Sequence, residues 1–159
     1  MMKGNDGTGN NSERDIWETQ QKLFNLLDKQ YNFMIDCCAS KENSKCIKYF
    51  DKFEDVDFIH NNIKCWMNPP FSIARDMFSH FFKIVSTGVA IYRCDNLETS
   101  IWQDIILKNA DWIFIPKGRI SYEGIKGNGS RFPSALIGVG VELPININGT
   151  ILKIEGLKQ

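Results

Sequence analysis

Ile63-Lys64-Cys65-Trp66-Met67-Asn68-Pro69-Pro70-Phe71-Ser72-Ile73 is the stretch from which the architecture can be read. Residues 63–67 form a short apolar run suited to a buried strand, and the two prolines that follow remove backbone donors, so the sheet ladder stops at Met67. Asn68-Pro69-Pro70-Phe71 must then be a rigid turn at a strand's carboxyl end. Beyond it, Ile73, Ala74, Met77, Phe78, Phe81, Phe82 and Val85 recur at steps of three and four, the period of an amphipathic helix, with Gly88 expected to end it. Strand, rigid turn and helix in that order form a unit of an α/β fold.

Toward the N-terminus, Lys45 to Phe50 reads as a second strand ending at Asp51, and Tyr31 to Asp36 as another, followed by the small residues Cys37, Cys38, Ala39 and Ser40. Leu23, Phe24, Leu26 and Leu27 place a helix over Thr19 to Gln30, with Thr19 as its N-cap. Toward the C-terminus, Val89 to Arg93 is strand-like and Thr99 to Asn109 helical. Short apolar runs at 111–115, 119–123, 133–141 and 150–155 read as strands, with an antiparallel hairpin around the glycine-rich loop 124–129. The expected architecture is one α/β domain over 13–159, with a Rossmann-like, mostly parallel sheet and a late antiparallel β-hairpin, preceded by a flexible Gly- and Asn-rich leader over 1–12. Ligands of open α/β sheets bind beyond the carboxyl ends of the strands. Asp36, Asp51 and Asn68 each follow a strand, so this topology gathers them on one rim.

Composition narrows the function. With 159 residues, 43% hydrophobic and 24% charged, the chain matches soluble averages, and no apolar run approaches the ~18 residues of a membrane helix. A net charge of zero excludes a protein that coats nucleic acid by phosphate neutralisation alone. The most basic stretch sets Lys117, Arg119, Lys126 and Arg131 against Glu123, and these four are the expected nucleic-acid contacts. Five cysteines without a C-x-x-C or an export signal indicate reduced thiols in a cytoplasmic setting. Cys46, His60 and Cys65 lack zinc-site spacing, so no metal is expected.

The tetrapeptide suits one kind of chemistry. The lone pair of an exocyclic amine such as adenine N6 is delocalised into its ring, and the nitrogen is a weak nucleophile until it becomes pyramidal. Two acceptors held at fixed angles favour that geometry: the side-chain oxygen of Asn68 and a backbone carbonyl, assigned to Pro69. The prolines stiffen the corner. Phe71 offers a face for stacking a base extruded from its duplex.

In these residues the chain resembles the DNA N6-adenine methyltransferases of phages and prophages. The resemblance runs from about Trp17 to Val141. It is carried by Trp17-Glu18-Thr19, by Ile35-Asp36-Cys37-Cys38-Ala39, by Asn43 and Cys46, by Trp66-Met67-Asn68-Pro69-Pro70-Phe71-Ser72, by Thr99 with Trp102, and by Gly118-Arg119-Ile120. It implies S-adenosylmethionine as cofactor, with Thr19 and Asp36 beside it and Asp51 at its ribose, and double-stranded DNA as partner in a bacterial host cytoplasm. Asn68, Pro69, Pro70 and Phe71 would be the catalytic residues. Gln20 stands where the family often has proline, and no glycine follows Asp36. Only 32 residues separate Asp36 from Asn68, so the methyltransferase-like sheet must be abbreviated. The tetrapeptide also fits methyl transfer to an amide-like nitrogen in RNA or in a glutamine side chain, and a catalytically inactive binding module would carry the same residues.

Overall fold

A computed structural model describes residues 18–19, 21–118, 120–123 and 130–155. The expected leader over 1–12, Arg119, Lys126 and the loop 124–129 lie outside the described residues. The first strand, β1 (Glu18–Thr19), is followed by helix α1 (Gln21–Tyr31). Phe24, Leu27 and Tyr31, spaced three and four apart, are its buried face. Thr19, expected as the N-cap, lies instead in β1, where its backbone pairs with Tyr122. α1 ends at Asn32, whose φ of 58° is the left-handed conformation that asparagine tolerates at a helix end. The strand expected from Tyr31 therefore shortens to β2 (Ile35–Asp36).

β3 (Lys48–Tyr49) and β4 (Lys64–Met67) follow, the latter running into the prolyl corner as expected. A single 3₁₀ turn, Phe71–Ile73, leads into α2 (Ala74–Ile84), which buries Ala74, Met77, Phe78 and Phe81. Full burial of a phenylalanine is worth about 1.5–3 kcal/mol, so Phe78 and Phe81 supply much of what holds α2 to the sheet. The helix stops at Val85 rather than at Gly88. Gly88 belongs to β5 (Thr87–Arg93), where a Cβ would meet the Cys65 carbonyl oxygen at 2.7 Å. Here glycine serves the close approach of neighbouring strands.

α3 begins with a π-helical stretch, Ile101–Ile106, and finishes as the α-helical turn Leu107–Asn109. The remaining strands are β6 (Trp112–Pro116), β7 (Ile120–Glu123), β8 (Ser130–Phe132), β9 (Ser134–Val139) and β10 (Gly149–Ile154). Seven strands form the main sheet in the order β10-β6-β9-β5-β4-β2-β3, and β1-β7-β8 form a second, small one.

The expectation of a mostly parallel sheet is not borne out. β3, β2, β4 and β5 pair in parallel, whereas β5 with β9, β9 with β6 and β6 with β10 are antiparallel, as are both pairings of the small sheet. The cause is β9, which inserts between β5 and β6 and separates two strands that run the same way. Hairpin β7–β8 is antiparallel as expected, with Ile120 opposite Phe132, but it joins β1 rather than the main sheet. Core packs on both faces. α2 and α3 cover Met67, Ala90 and Ile137, while α1 covers Trp66, Val89 and Trp112. Among the described residues no helix is long and apolar enough to cross a membrane.

Candidate active site

Strand order reverses at β2, whose parallel neighbours are β3 on one side and β4 on the other. A crevice is expected at the carboxyl ends of such strands. The structure has one there, a cavity of about 230 Å³ that opens to solvent and is lined by Asp36, Lys45, Asp51, Glu54, Asn68 and Pro70 among others. The three residues expected on one rim, Asp36, Asp51 and Asn68, all face this cavity.

Asp36 is only 3% exposed, at the end of β2. The Lys45 N–H donates to its Oδ2 at 2.9 Å and the Cys38 N–H to its Oδ1 at 3.3 Å. The carboxylate thus ties together the two ends of the loop that follows β2. That loop is closed further by the Ser40 N–H donating to Asn43 Oδ1 at 2.6 Å and by the Ser44 hydroxyl donating to the Cys46 carbonyl at 2.6 Å. Side-chain closure replaces the glycine-rich turn that the sequence lacks. Burial pushes the Asp36 carboxyl up to about 6, while the two backbone donors and the Lys45 charge pull it down. Lys45 Nζ in turn donates to Gln21 Oε1 at 3.0 Å, fastening the loop to the first turn of α1.

Asp51 is exposed just beyond β3, on the side of the cavity where Phe50 stacks on Phe53 with ring centroids 6.2 Å apart. Ile73 and Met77 of the tetrapeptide's own helix add an apolar wall. Sequence reading assigned these two to the helix core. They stand four residues apart on the face that meets the cavity, a placement that periodicity alone cannot separate from core. Lys45, Glu54, Phe50 and Phe53 were likewise missed as lining residues; only the position of Phe50 directly before Asp51 could have signalled one.

At the corner, Asn68 is half-buried and Pro69 is buried. Pro70 is extended, with φ −58° and ψ 139°, and its carbonyl accepts the Ile73 N–H at 3.2 Å to form the turn. Phe71 turns away from the cavity toward β5 and β8. It meets Phe132 and Tyr92 edge-on at centroid distances of 5.5 and 6.0 Å, and the Arg93 guanidinium lies 5.7 Å from its ring. The expected site residues therefore form two adjoining groups: Asp36, Asp51, Asn68 and Pro70 around the cavity, and Phe71 beside it over the end of β5.

Thr19 sits in β1, away from these strand ends in sequence, and pairs with the hairpin. Lys117 is exposed after β6, its N–H donating to the Asn148 carbonyl at 2.8 Å. Arg131 lies in β8 opposite Ser121. The cysteines are reduced, and burial pushes the Cys37 and Cys38 thiols well up, which makes them poor nucleophiles.

These features define a mixed α/β domain with a cleft at a strand switch point, lined in part by a prolyl corner that bears the Asn68 amide. A sequence profile of the DNA N-6-adenine-methyltransferase (Dam) family matches residues 7–135, and the chain belongs to that family. No curated protein and no solved structure matches the chain.

Proposed function

We propose that the chain transfers the methyl group of S-adenosylmethionine to N6 of adenine in duplex DNA, with the target base extruded onto the Asn68 corner. The observation that carries this reading is the convergence of Asp36, Asp51 and Asn68, from three different strand ends, on one cavity. The cavity's chemistry fits the cofactor. Asp51 and Glu54 offer carboxylates to ribose hydroxyls or to the cofactor's cationic groups, and Phe50, Phe53, Ile73 and Met77 offer apolar surface to its adenine. Asp36 acts mainly by holding the loop between Cys38 and Lys45 in shape, since both of its oxygens already accept backbone N–H groups.

When bound, the cofactor supplies an activated methyl on sulfur. The protein's part is to orient the amine and relieve its conjugation. Asn68 Oδ1 and one backbone carbonyl accept the two amine hydrogens out of the ring plane. The Pro70 carbonyl is engaged by Ile73, which supports Pro69 as the second acceptor. Preset acceptors of this kind lower the barrier because they need no reorganisation as charge develops on nitrogen. Asparagine is no base, so the proton leaves to water after transfer. Phe71 is half-buried, so part of its ring remains open to stack on a base. Lys117, Arg119, Lys126 and Arg131 would hold the phosphates along the hairpin.

Incubation with methyl-labelled S-adenosylmethionine and, separately, duplex DNA, RNA and a glutamine-containing protein tests the proposal. Label in N6-methyldeoxyadenosine is the expected result. Label confined to RNA or protein, or cofactor binding without transfer to any DNA, would overturn it.

A further inference from the structure

Arg93 closes β5 at the same end of the sheet as the prolyl corner, and its surroundings are unusual for a strand-end arginine. Its guanidinium lies 4.3 Å from the centroid of the Phe132 ring and 5.7 Å from that of Phe71. Asp95 holds the other edge of the fork: Arg93 Nε donates to Asp95 Oδ1 at 2.7 Å, and Nη2 donates to Oδ2. The backbone is fixed too. Trp102 Nε1 donates to the Arg93 carbonyl at 3.0 Å, and the Cys94 N–H donates to the Pro133 carbonyl at 2.7 Å, next to Phe132. The Arg93 side chain is only 14% exposed. Withdrawal from water strengthens a cation's attraction to an aromatic face, and a two-point carboxylate grip removes the freedom that an exposed arginine keeps.

The two rings belong to the two parts of the proposed machinery: Phe71 to the catalytic corner, and Phe132 to β8 of the basic hairpin. We infer that the Arg93–Asp95 pair is a positioning device that locks the Phe71 ring in place for the flipped base and ties that ring to the DNA-reading hairpin through Phe132. Asp95 orients the guanidinium, the guanidinium holds the two rings, and the ring of Phe71 offers its remaining surface to the base. Asp95 is not a proton donor or acceptor in transfer. This inference rests on the methyl-transfer reading above.

The test compares wild type with Arg93→Met, Arg93→Lys and Asp95→Asn. Arg93→Met keeps the bulk over the rings but removes the cation, Arg93→Lys keeps a cation without the fork, and Asp95→Asn frees the arginine while leaving the aromatic cluster untouched. Three quantities are read: kcat and KM for duplex DNA, affinity for S-adenosylmethionine, and the fluorescence of 2-aminopurine placed at the adenine that wild type methylates. Arg93→Met and Asp95→Asn should each lower kcat/KM for DNA on the order of tenfold, the scale of a desolvated cation–π contact. The fluorescence of the extruded base should change, and cofactor affinity should stay within about twofold. Arg93→Lys should fall between Arg93→Met and wild type.

Unchanged kinetics and fluorescence in Asp95→Asn and Arg93→Met, with wild type active, would overturn the positioning role alone. An equal loss of cofactor affinity and DNA turnover would show a general structural part and overturn it too. A wild type that transfers no methyl to DNA would instead overturn the parent reading, and this inference with it.

Discussion

Replacing Asp36 by Asn should separate stability from cofactor binding in a way that depends on pH. In the folded chain, burial holds this carboxyl at about 6 against an ordinary value of 3.8. Between those values the folded state binds more protons than the unfolded chain, so stability is full below the lower value and is lost as pH rises through the upper one. A shift of about two units corresponds to roughly 3 kcal/mol. The substituted amide would have no charge to bury. Its nitrogen, however, would face one of the two backbone donors that the carboxylate accepts, Lys45 N–H or Cys38 N–H. An unsatisfied buried donor costs about 1–3 kcal/mol. At pH 8 the two effects nearly offset, and the variant should melt within a few degrees of wild type. At pH 4.5, between the two values, only about 1 kcal/mol of that charge-burial cost is present in wild type, so the lost hydrogen bond outweighs it and the variant should melt lower, by about 2–4 °C for each kcal/mol of the difference. Thermal melts followed by circular dichroism at the two pH values read this directly. At pH 8 the loosened loop should also weaken S-adenosylmethionine at least about tenfold, a loss on the scale of one hydrogen bond to a charged group. A stability difference between variant and wild type that is the same at both pH values would refute the reasoning.

The remaining expectations follow from other parts of the structure. Cofactor affinity of the wild type should fall as pH drops below about 6, because protonation of Asp36 weakens its hold on the loop; isothermal titration calorimetry across pH 5–8 checks this, and a flat profile would separate Asp36 from the cofactor. Gly138→Ala should lower the melting temperature sharply, since its Cβ would stand 2.0 Å from Cε2 of the fully buried Trp112, whose indole is fixed by a hydrogen bond to the Val141 carbonyl. Overpacking of this kind costs about 1–3 kcal/mol or more, and a melt at the wild-type temperature would mean that β9 can shift. Joint replacement of Arg119 and Arg131 by Ala should reduce the salt slope of DNA binding by about two units if each meets one phosphate. An unchanged slope would move the DNA surface elsewhere.

Much of this was legible because proline and helical periodicity act locally. Two prolines after Met67 can only end a strand, and seven apolar residues at steps of three and four can only be one face of a helix, so β4, the corner and α2 were found where they lie. The rim of Asp36, Asp51 and Asn68 followed from strand ends and topology. Strand direction was not legible, because an apolar run such as Ala135 to Val139 is the same pattern whether it inserts parallel or antiparallel, and its neighbours β5 and β6 are distant in sequence. Gly88 was misread as a helix stop since a close strand contact and a helix end both require the same residue. Thr19 was misread as a cap because its pairing partner, Tyr122, lies about a hundred residues away. The Arg93–Asp95 pair carried no local signal at all: its meaning comes from Phe71 and Phe132, brought together only by the fold.

Catalysis in this scheme turns on the amide of Asn68 as a fixed acceptor for the target amine. Single-turnover methylation of duplex DNA by Asn68→Ala, with cofactor affinity measured on the same protein, tests that role most directly. The rate should drop on the order of a hundred- to a thousandfold, the scale of losing one preorganised hydrogen-bonding group in an active site, while cofactor affinity stays within about twofold. A variant that methylates adenine at the wild-type rate, or that loses cofactor binding in proportion to turnover, would contradict it.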